Sequence, residues 1–342
     1  MITKTKILLS IFLILFSYLF SLPQINSVNA QSSTVEGEIT KIIEEDGNYQ
    51  KIEVATGQKT EIIENGLFDA SLNIKYKVGD KVVLSDGMIT DYVRRPSLAL
   101  LLGIFLFLAI LIAGKWGLTS IVGMAYSFYV IFVFILPMIL KGYDAVIVAV
   151  IGSMFIIPVT FGLSHGINRK TINAVLGTII SMVIVGLLSI VFVDLAKLSG
   201  FAIEEAGFLQ YQLGGIINMK GILLAGIIIS TLGVMDDITV SQASVVEELK
   251  KANLKLSKRE LFVRSMRVGK DHISSMVNTL VLVYAGSALP LLLLFVNNPH
   301  PFSEVINHEI IADEIVRTLV GSIGLILAVP ITTYIAVQTA KK

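Results

Sequence analysis

Apolar and polar positions follow three different patterns along this chain. Residues 1–30 begin with a basic start, Met1-Ile2-Thr3-Lys4-Thr5-Lys6, continue through an apolar run from Ile7 to Leu22, and end in a polar stretch closing on Val28-Asn29-Ala30. That order predicts a secretory signal peptide cleaved after Ala30, or else an uncleaved N-terminal anchor, because the run falls only a few residues short of the ~20 that cross a bilayer. Residues 35–95 alternate in steps of two, as in Val35-Glu36-Gly37-Glu38-Ile39-Thr40-Lys41-Ile42 and Gln50-Lys51-Ile52-Glu53-Val54, with Asp46-Gly47-Asn48 as the turn between. Strict alternation sends one set of side chains to each face of a strand, so strands are expected here. Gly79-Asp80 reads as a turn between two short strands in Tyr76–Leu84. Short strands of this kind predict a small all-β barrel, OB-like or SH3-like, serving as a folded spacer, an assembly contact or a module that binds a partner.

From residue 96 the pattern changes to long apolar runs, at about 97–113, 117–139, 144–163, 172–193, 219–236, 273–296 and 315–338. Each is close to the ~20 residues a helix needs to traverse the hydrocarbon layer. Charged or turn residues separate them, including Lys115-Trp116, Lys141-Gly142-Tyr143-Asp144 and His165 to Lys170. Residues 96–342 are therefore expected to form an all-α polytopic membrane bundle of about seven helices behind an extracytoplasmic β-rich domain at 31–95. No internal repeat is visible that would indicate two inverted halves.

Composition supports the lipid environment. The chain is 54% hydrophobic and only 15% charged, against about 25% charged for soluble domains. A net charge of +1 gives no field to hold nucleic acid. The absence of cysteine excludes disulfides, thiolate metal ligation, a thiol nucleophile and an acylated lipoprotein cysteine. With 31–95 outside, the cytoplasmic segments hold 13 Lys and Arg, and the opposite side holds six when only Arg94 and Arg95 are counted from the β-rich domain, in line with the positive-inside rule. Eight of the 13 lie within 250–270 alone, so the signal-type N-terminus is the independent support. The expected location is the plasma membrane, with the C-terminus cytoplasmic.

The richest stretch for chemistry is Gly233-Val234-Met235-Asp236-Asp237-Ile238-Thr239-Val240-Ser241-Gln242-Ala243-Ser244. It closes the fifth apolar run with two carboxylates and carries no helix breaker. At helical spacing Ser230, Asp237, Ser241, Ser244 and Glu248 share one face, with Asp236 and Glu247 beside them. The next run starts with a similar strip, Asp271, Ser275 and Asn278. Two consecutive antiparallel helices would then offer polar strips at one membrane depth. Acidic groups inside a span cost ~3 kcal/mol on insertion scales and face a polar path or a partner. A carboxylate held in a low dielectric favours its protonated form, which is the property a proton relay needs. The alternative is that Asp236 marks the cytoplasmic boundary and the strip beyond it is a hydrated helix face. Farther on, Ser257-Lys258-Arg259-Glu260 has the form of a capping box opening a short amphipathic helix. The basic residues between 250 and 270 would meet lipid headgroups or a specific anion.

On these residues the chain resembles the YibE/F family of multi-pass bacterial membrane proteins. The likeness is most specific at Ser164-His165-Gly166-Ile167-Asn168-Arg169-Lys170-Thr171 and from Gly233 through Ser265-Met266-Arg267-Val268-Gly269-Lys270-Asp271 to Asn278-Thr279-Leu280. It implies a permease with no assigned substrate. Residues 233–280 are also similar to the fourth transmembrane helix and following segment of resistance–nodulation–division exporters and their SecD/SecF relatives. That resemblance implies relay acids at Asp236 and Asp237. The chain departs from it by two extra spans and a far smaller exported domain.

Enzyme readings find little support. His308-Glu309-Ile310-Ile311-Ala312 lacks the second histidine of a zincin, and His300, Glu304 and His308 have no regular ligand spacing. Gly321-Ser322-Ile323-Gly324 reads as close helix packing, and no phosphate-binding Gly-Lys-Ser/Thr loop is present. The expectation is a secondary permease or permease subunit, not an enzyme, with no cofactor or metal. Asp236, Asp237 and Asp271 would carry protons or cations, and Ser230, Ser241, Ser244, Ser275 and Asn278 would line the path. Its surroundings would be lipid, a partner membrane subunit or a second copy of the chain, and a small-molecule or ionic substrate. The competing class is a non-transporting scaffold or assembly factor whose exported domain recruits a partner.

Overall fold

The computed structural model describes residues 34–47, 49–57, 59–65, 75–296 and 301–340. The signal-type segment 1–30, His300 and the terminal Lys341-Lys342 lie outside the described residues. The chain divides into two compact units, Met1–Gly114 and Lys115–Lys342.

The first unit contains five strands, β1 (Val35–Asp46), β2 (Tyr49–Thr56), β3 (Lys59–Asn65), β4 (Lys81–Ser85) and β5 (Met88–Tyr92), paired antiparallel in the order β3-β2-β1-β4-β5. The long β1 pairs with β4 through Val35–Glu38 and with β2 from Glu38 onward, and two bulges bend it between them. The outer strands β3 and β5 approach each other, so the sheet curls into a half-barrel. Its inner face is the expected alternating set, Ile39, Ile52, Val54, Ile63, Val82 and Leu84. Gly37 is required by close approach, since a Cβ there would sit 2.5 Å from Val54 Cγ1.

Two details differ from the sequence reading. Tyr76 is not in a strand; it is buried in the loop ahead of β4, where the Gln50 side chain takes its backbone as a strand neighbour would. Tyr76 N donates to Gln50 Oε1 at 2.8 Å, and Gln50 Nε2 donates to Tyr76 O at 3.2 Å. The tight hairpin is at Asp86-Gly87, both with positive φ, joining β4 to β5. Asp-Gly is the strongest short hairpin signal, and the alternation pattern alone passed over it. The unit ends in α1 (Arg95–Ala113), whose start is tied to the sheet by the Arg95–Glu36 and Arg94–Asp91 ion pairs. None of its residues is buried. A helix apolar on every side is one solvated by lipid.

The second unit is helical. α2 (Lys115–Leu140) contains one π turn at Ile131–Ile135, immediately ahead of Pro137. α3 (Ala145–His165) is capped by Asp144, and α4 (Arg169–Leu195) by Asn168. α5 (Glu204–Gln212) leads to α6 (Met219–Ala252), capped by Asn218. α7 (Lys258–Ser287) is followed by α8 (Leu289–Val296), α9 (Phe302–Val305) and α10 (Glu309–Thr339). The capping box on Ser257 and Glu260 is formed, but it opens one 30-residue helix instead of a short one.

Among the described residues six helices are long and apolar enough to cross a membrane: α1, α2, α3, α4, α6 and α10. The expected span at 273–296 is not among them. Its segment is divided between the end of α7, whose first half is polar, and α8 beyond a break at Ala288.

α4, α6 and α10 pack as the centre of this unit, with α3 on α6, α2 on α3, and α7 against α10 and α6. Glycines allow this proximity: a Cβ on Gly177 would lie 2.1 Å from Thr332 Oγ1, and one on Gly324 2.2 Å from Val185 Cγ2. The ends of the helices are tied. Lys220 pairs with Asp194 at one end, where the Glu309 carboxylate also accepts from Ser199 N at 2.6 Å. At the other end Thr339 Oγ1 donates to Asn173 Oδ1 at 3.0 Å and Lys258 Nζ to Gln338 Oε1 at 2.6 Å. α6 and α10 therefore run parallel, and α4 and α7 run opposite to them.

Candidate functional site

α6 continues unbroken for 34 residues, so Asp236 and Asp237 sit midway along a helix and not at its end. Its inward face is a heptad-like set, Ile228, Thr231, Met235, Ile238, Thr239, Gln242 and Val246, all buried. Asp236 lies on the flank of that face, sharing a helix side with the buried Leu232, Val240 and Ala243. Its Oδ1 is enclosed by protein and has no hydrogen-bond partner. Asp237, a further 100° around, is exposed.

The polar strip picked out by spacing thus divides. Ser230, Ser241 and Ser244 are partly covered and Glu248 is exposed, on the same outward face as Asp237. The Ser230 hydroxyl donates to Ile227 O and that of Ser244 to Val240 O, each within α6. On α7, Asp271, Ser275 and Asn278 are exposed, while the face toward α6 and α10 consists of Leu261, Ser265, Gly269 and Leu280. The structure does not bring Asp271, Ser275 and Asn278 together with Asp236. At the contact of α7 with α6 and α10 the small residues Ser265 and Gly269 take the α7 side.

What occupies the interior is a set of neutral polar side chains. Thr178 on α4 and Thr239 on α6 meet hydroxyl to hydroxyl at 2.8 Å. Gln242 Nε2 donates to Thr333 Oγ1 at 2.7 Å and to Ser265 O at 3.1 Å, tying α6 to α10 and α7. Ser181, Ser265, Ser322 and Thr332 are also buried, and each hydroxyl oxygen lacks a partner, as does Gln242 Oε1. Buried polar atoms are normally satisfied by protein or by water, so this concentration sets the α4–α6–α10 contact apart from an ordinary apolar core. Toward the Asp194 end, Asp313 is buried on α10 beside Arg317, which reaches it at 3.5 Å and Glu314 at 3.5 Å.

Sequence spacing missed Thr178, Thr239, Gln242 and Thr333, because single threonines and a glutamine within apolar helices carry no charge signal. It also missed Asp313 and Arg317, which precede or open the last apolar run at 315–338. Among the described residues no group of three or more His, Cys, Asp or Glu is placed to hold a metal ion.

The family model described as YibE/F-like protein matches residues 101–342, which include the whole helical unit. The chain belongs to the YibE/F family. Asp236, the α4–α6–α10 seam and the basic end of the bundle all fall within the stretch that defines membership. No curated protein and no solved structure matches the chain.

Proposed function

We propose that the chain is a secondary permease, or the permease subunit of a membrane assembly, in which Asp236 carries a proton or cation through the middle of the layer. The observation that carries this reading is the enclosed, unpartnered Oδ1 of Asp236. Depth supports it. Lys170 is the last cation before the apolar run of α4, and Thr178 lies eight residues deeper, about 12 Å at helical rise. Because Thr178 meets Thr239, Asp236 is a further three residues in, about 16 Å from that charged rim, near the centre of a layer about 30 Å thick. An acid there costs ~3 kcal/mol on insertion scales. Asp236 is the relay group in this reading, and the hydroxyls of Ser181, Thr178, Thr239 and Thr332 provide donors and acceptors for a hydrated path.

Seven crossings agree with the same reading. α6 and α10 start at one end of the bundle, so the chain between them has to return across it, and α7 is the element that runs that way. In this reading 31–95 is outside and the C-terminus is cytoplasmic. Lacking a phosphate-binding loop, the chain would draw on an ion gradient and not on ATP hydrolysis. The likeness of residues 233–280 to the relay-bearing segment of resistance–nodulation–division exporters points the same way.

A further observation favours the subunit form. Asp237, Asp271, Ser275 and Asn278 face outward from the bundle, and polar groups left against lipid are expensive, so a partner subunit or a second copy would cover them.

The test is proton flux into liposomes holding the purified full-length protein. Asp236→Asn should remove ion-driven flux while leaving amount, folding and complex formation unchanged, and Asp237→Asn should retain flux. If Asp236→Asn lowers only protein abundance, the carboxylate is structural and the permease reading fails.

A further inference from the structure

At the α6 C-terminal end of the bundle a cavity of about 310 Å³ opens between α4, α6 and α10. Four cations line it, Arg169 and Lys170 from the start of α4 and Lys250 and Lys251 from the end of α6, against one carboxylate, Glu247. The four are eighty residues apart in sequence as two pairs, and only packing of α4 on α6 unites them. Their occupation differs. Lys251 is engaged by Glu247 at 2.7 Å and Glu248 at 3.0 Å. Lys250 is held by the carbonyls of Leu254 at 2.8 Å and Leu256 at 3.1 Å, and Arg169 reaches Thr339 O at 3.5 Å. Lys170, half-buried, has no ion-pair or hydrogen-bond partner among the described residues. The floor is apolar, formed by Ala243, Val246 and Ala336, all buried.

We propose that this cavity binds a phosphate group that carries an apolar portion. The cations are the phosphate-binding part, with Lys170 as the free ligand and Arg169 beside it at the positive end of the α4 helix. The buried alanines and Val246 take the adjoining hydrocarbon. The cavity lies where the apolar run of α4 gives way to charge, which is headgroup depth. An anionic phospholipid supplies both portions in one molecule, and a free phosphate supplies only the first. Because α4, α6 and α10 also form the central polar seam, an occupant here would clamp the three helices whose relative positions set the seam. The proposal does not depend on Asp236 or on transport.

The experiment measures thermal stability and lipid retention of the full-length protein in two arms. One uses nanodiscs with phosphatidylglycerol or with phosphatidylcholine alone, the other uses detergent with inorganic phosphate. The expected result is stabilisation and retention by phosphatidylglycerol over phosphatidylcholine. Lys170→Glu should weaken it roughly 25-fold, two charge units at about fivefold each. Lys170→Arg should preserve it. Lys115→Gln, at an exposed cation that starts α2 outside the cavity, should leave it unchanged. Stabilisation by inorganic phosphate equal to that by phosphatidylglycerol would overturn the apolar portion of the proposal. Equal responses in Lys170→Glu and in Lys115→Gln, or no preference for phosphatidylglycerol, would overturn the site itself. Should Lys170→Glu fail to fold, Lys170→Gln gives the same comparison at about fivefold.

Discussion

The hydroxyl oxygens of Thr178 and Thr239 stand 2.8 Å apart, and both side chains are completely enclosed. This contact fixes the register of α4 on α6 and with it the depth of Asp236, one turn away. The protein contains no cysteine, so the pair can be tested without a background. Thr178→Cys with Thr239→Cys should form a disulfide on mild oxidation, seen as a cross-linked product after proteolysis between the helices. Thr178→Cys with Gly233→Cys should not, because Gly233 is exposed on another face. A first pair that stays reduced would mean a different register.

Close approach of α4 and α10 depends on Gly177. A methyl group there would meet Thr332 Oγ1 at 2.1 Å and its Cα at 3.3 Å, so the backbone itself would have to shift. Gly177→Ala is expected to destabilise the bundle by about 1–3 kcal/mol, the usual cost of overfilling a packed contact. Gly226→Ala and Gly233→Ala, with nothing within 4 Å, should be near neutral. Melting temperatures in one detergent compare the three.

In the five-stranded sheet, Gln50 is 1% exposed and supplies both partners of the Tyr76 backbone. Gln50→Leu keeps the volume and leaves a buried N–H and C=O unpaired, which costs about 1–3 kcal/mol. Urea unfolding of residues 31–95 should show the loss, and an unchanged midpoint would mean that the loop ahead of β4 is hydrated instead.

Glu45 accepts from Lys75 at 2.8 Å, and this hydrogen bond and the ammonium charge lower the Glu45 pKa from its ordinary 4.5. A carboxylate with a lowered folded pKa adds stability above its unfolded value, and that stability is lost as pH falls through the folded value. Acid unfolding of the sheet should therefore lose this contribution only below 4.5, and Lys75→Met should return the Glu45 titration to its ordinary position by NMR.

How far the sequence was legible follows from which interactions leave a local trace. Alternation identified the inner face of the sheet, Ile39 to Leu84, because each residue reports its own side. The long apolar runs located the spans α1 to α4, α6 and α10, and family resemblance was carried by residues 164–171 and 233–280. The partition of acids was not legible. Spacing groups Asp237 with Ser230, Ser241 and Ser244 correctly, but the 3.6 period is silent about which side of α6 its neighbours occupy. Helix α10, distant in sequence, took the Thr231–Met235–Gln242 side and left Asp237 outside. Nor did the run at 273–296 show that it is divided between the end of α7 and α8, or that the polar first half of α7, from Lys258 to Lys270, belongs to the same helix and is buried through Leu261, Ser265 and Gly269.

The central claim is that Asp236 presents a protonatable carboxyl group to a space closed to bulk water. Labelling of the reconstituted protein with a membrane-soluble carbodiimide, followed by peptide mass spectrometry, tests it most directly, since the reagent attacks protonated carboxyl groups within apolar surroundings. The expected result is modification at Asp236, absent with a water-soluble carbodiimide and absent in Asp236→Asn. Equal modification by both reagents, or none at Asp236 while Asp237 is labelled, would contradict the account.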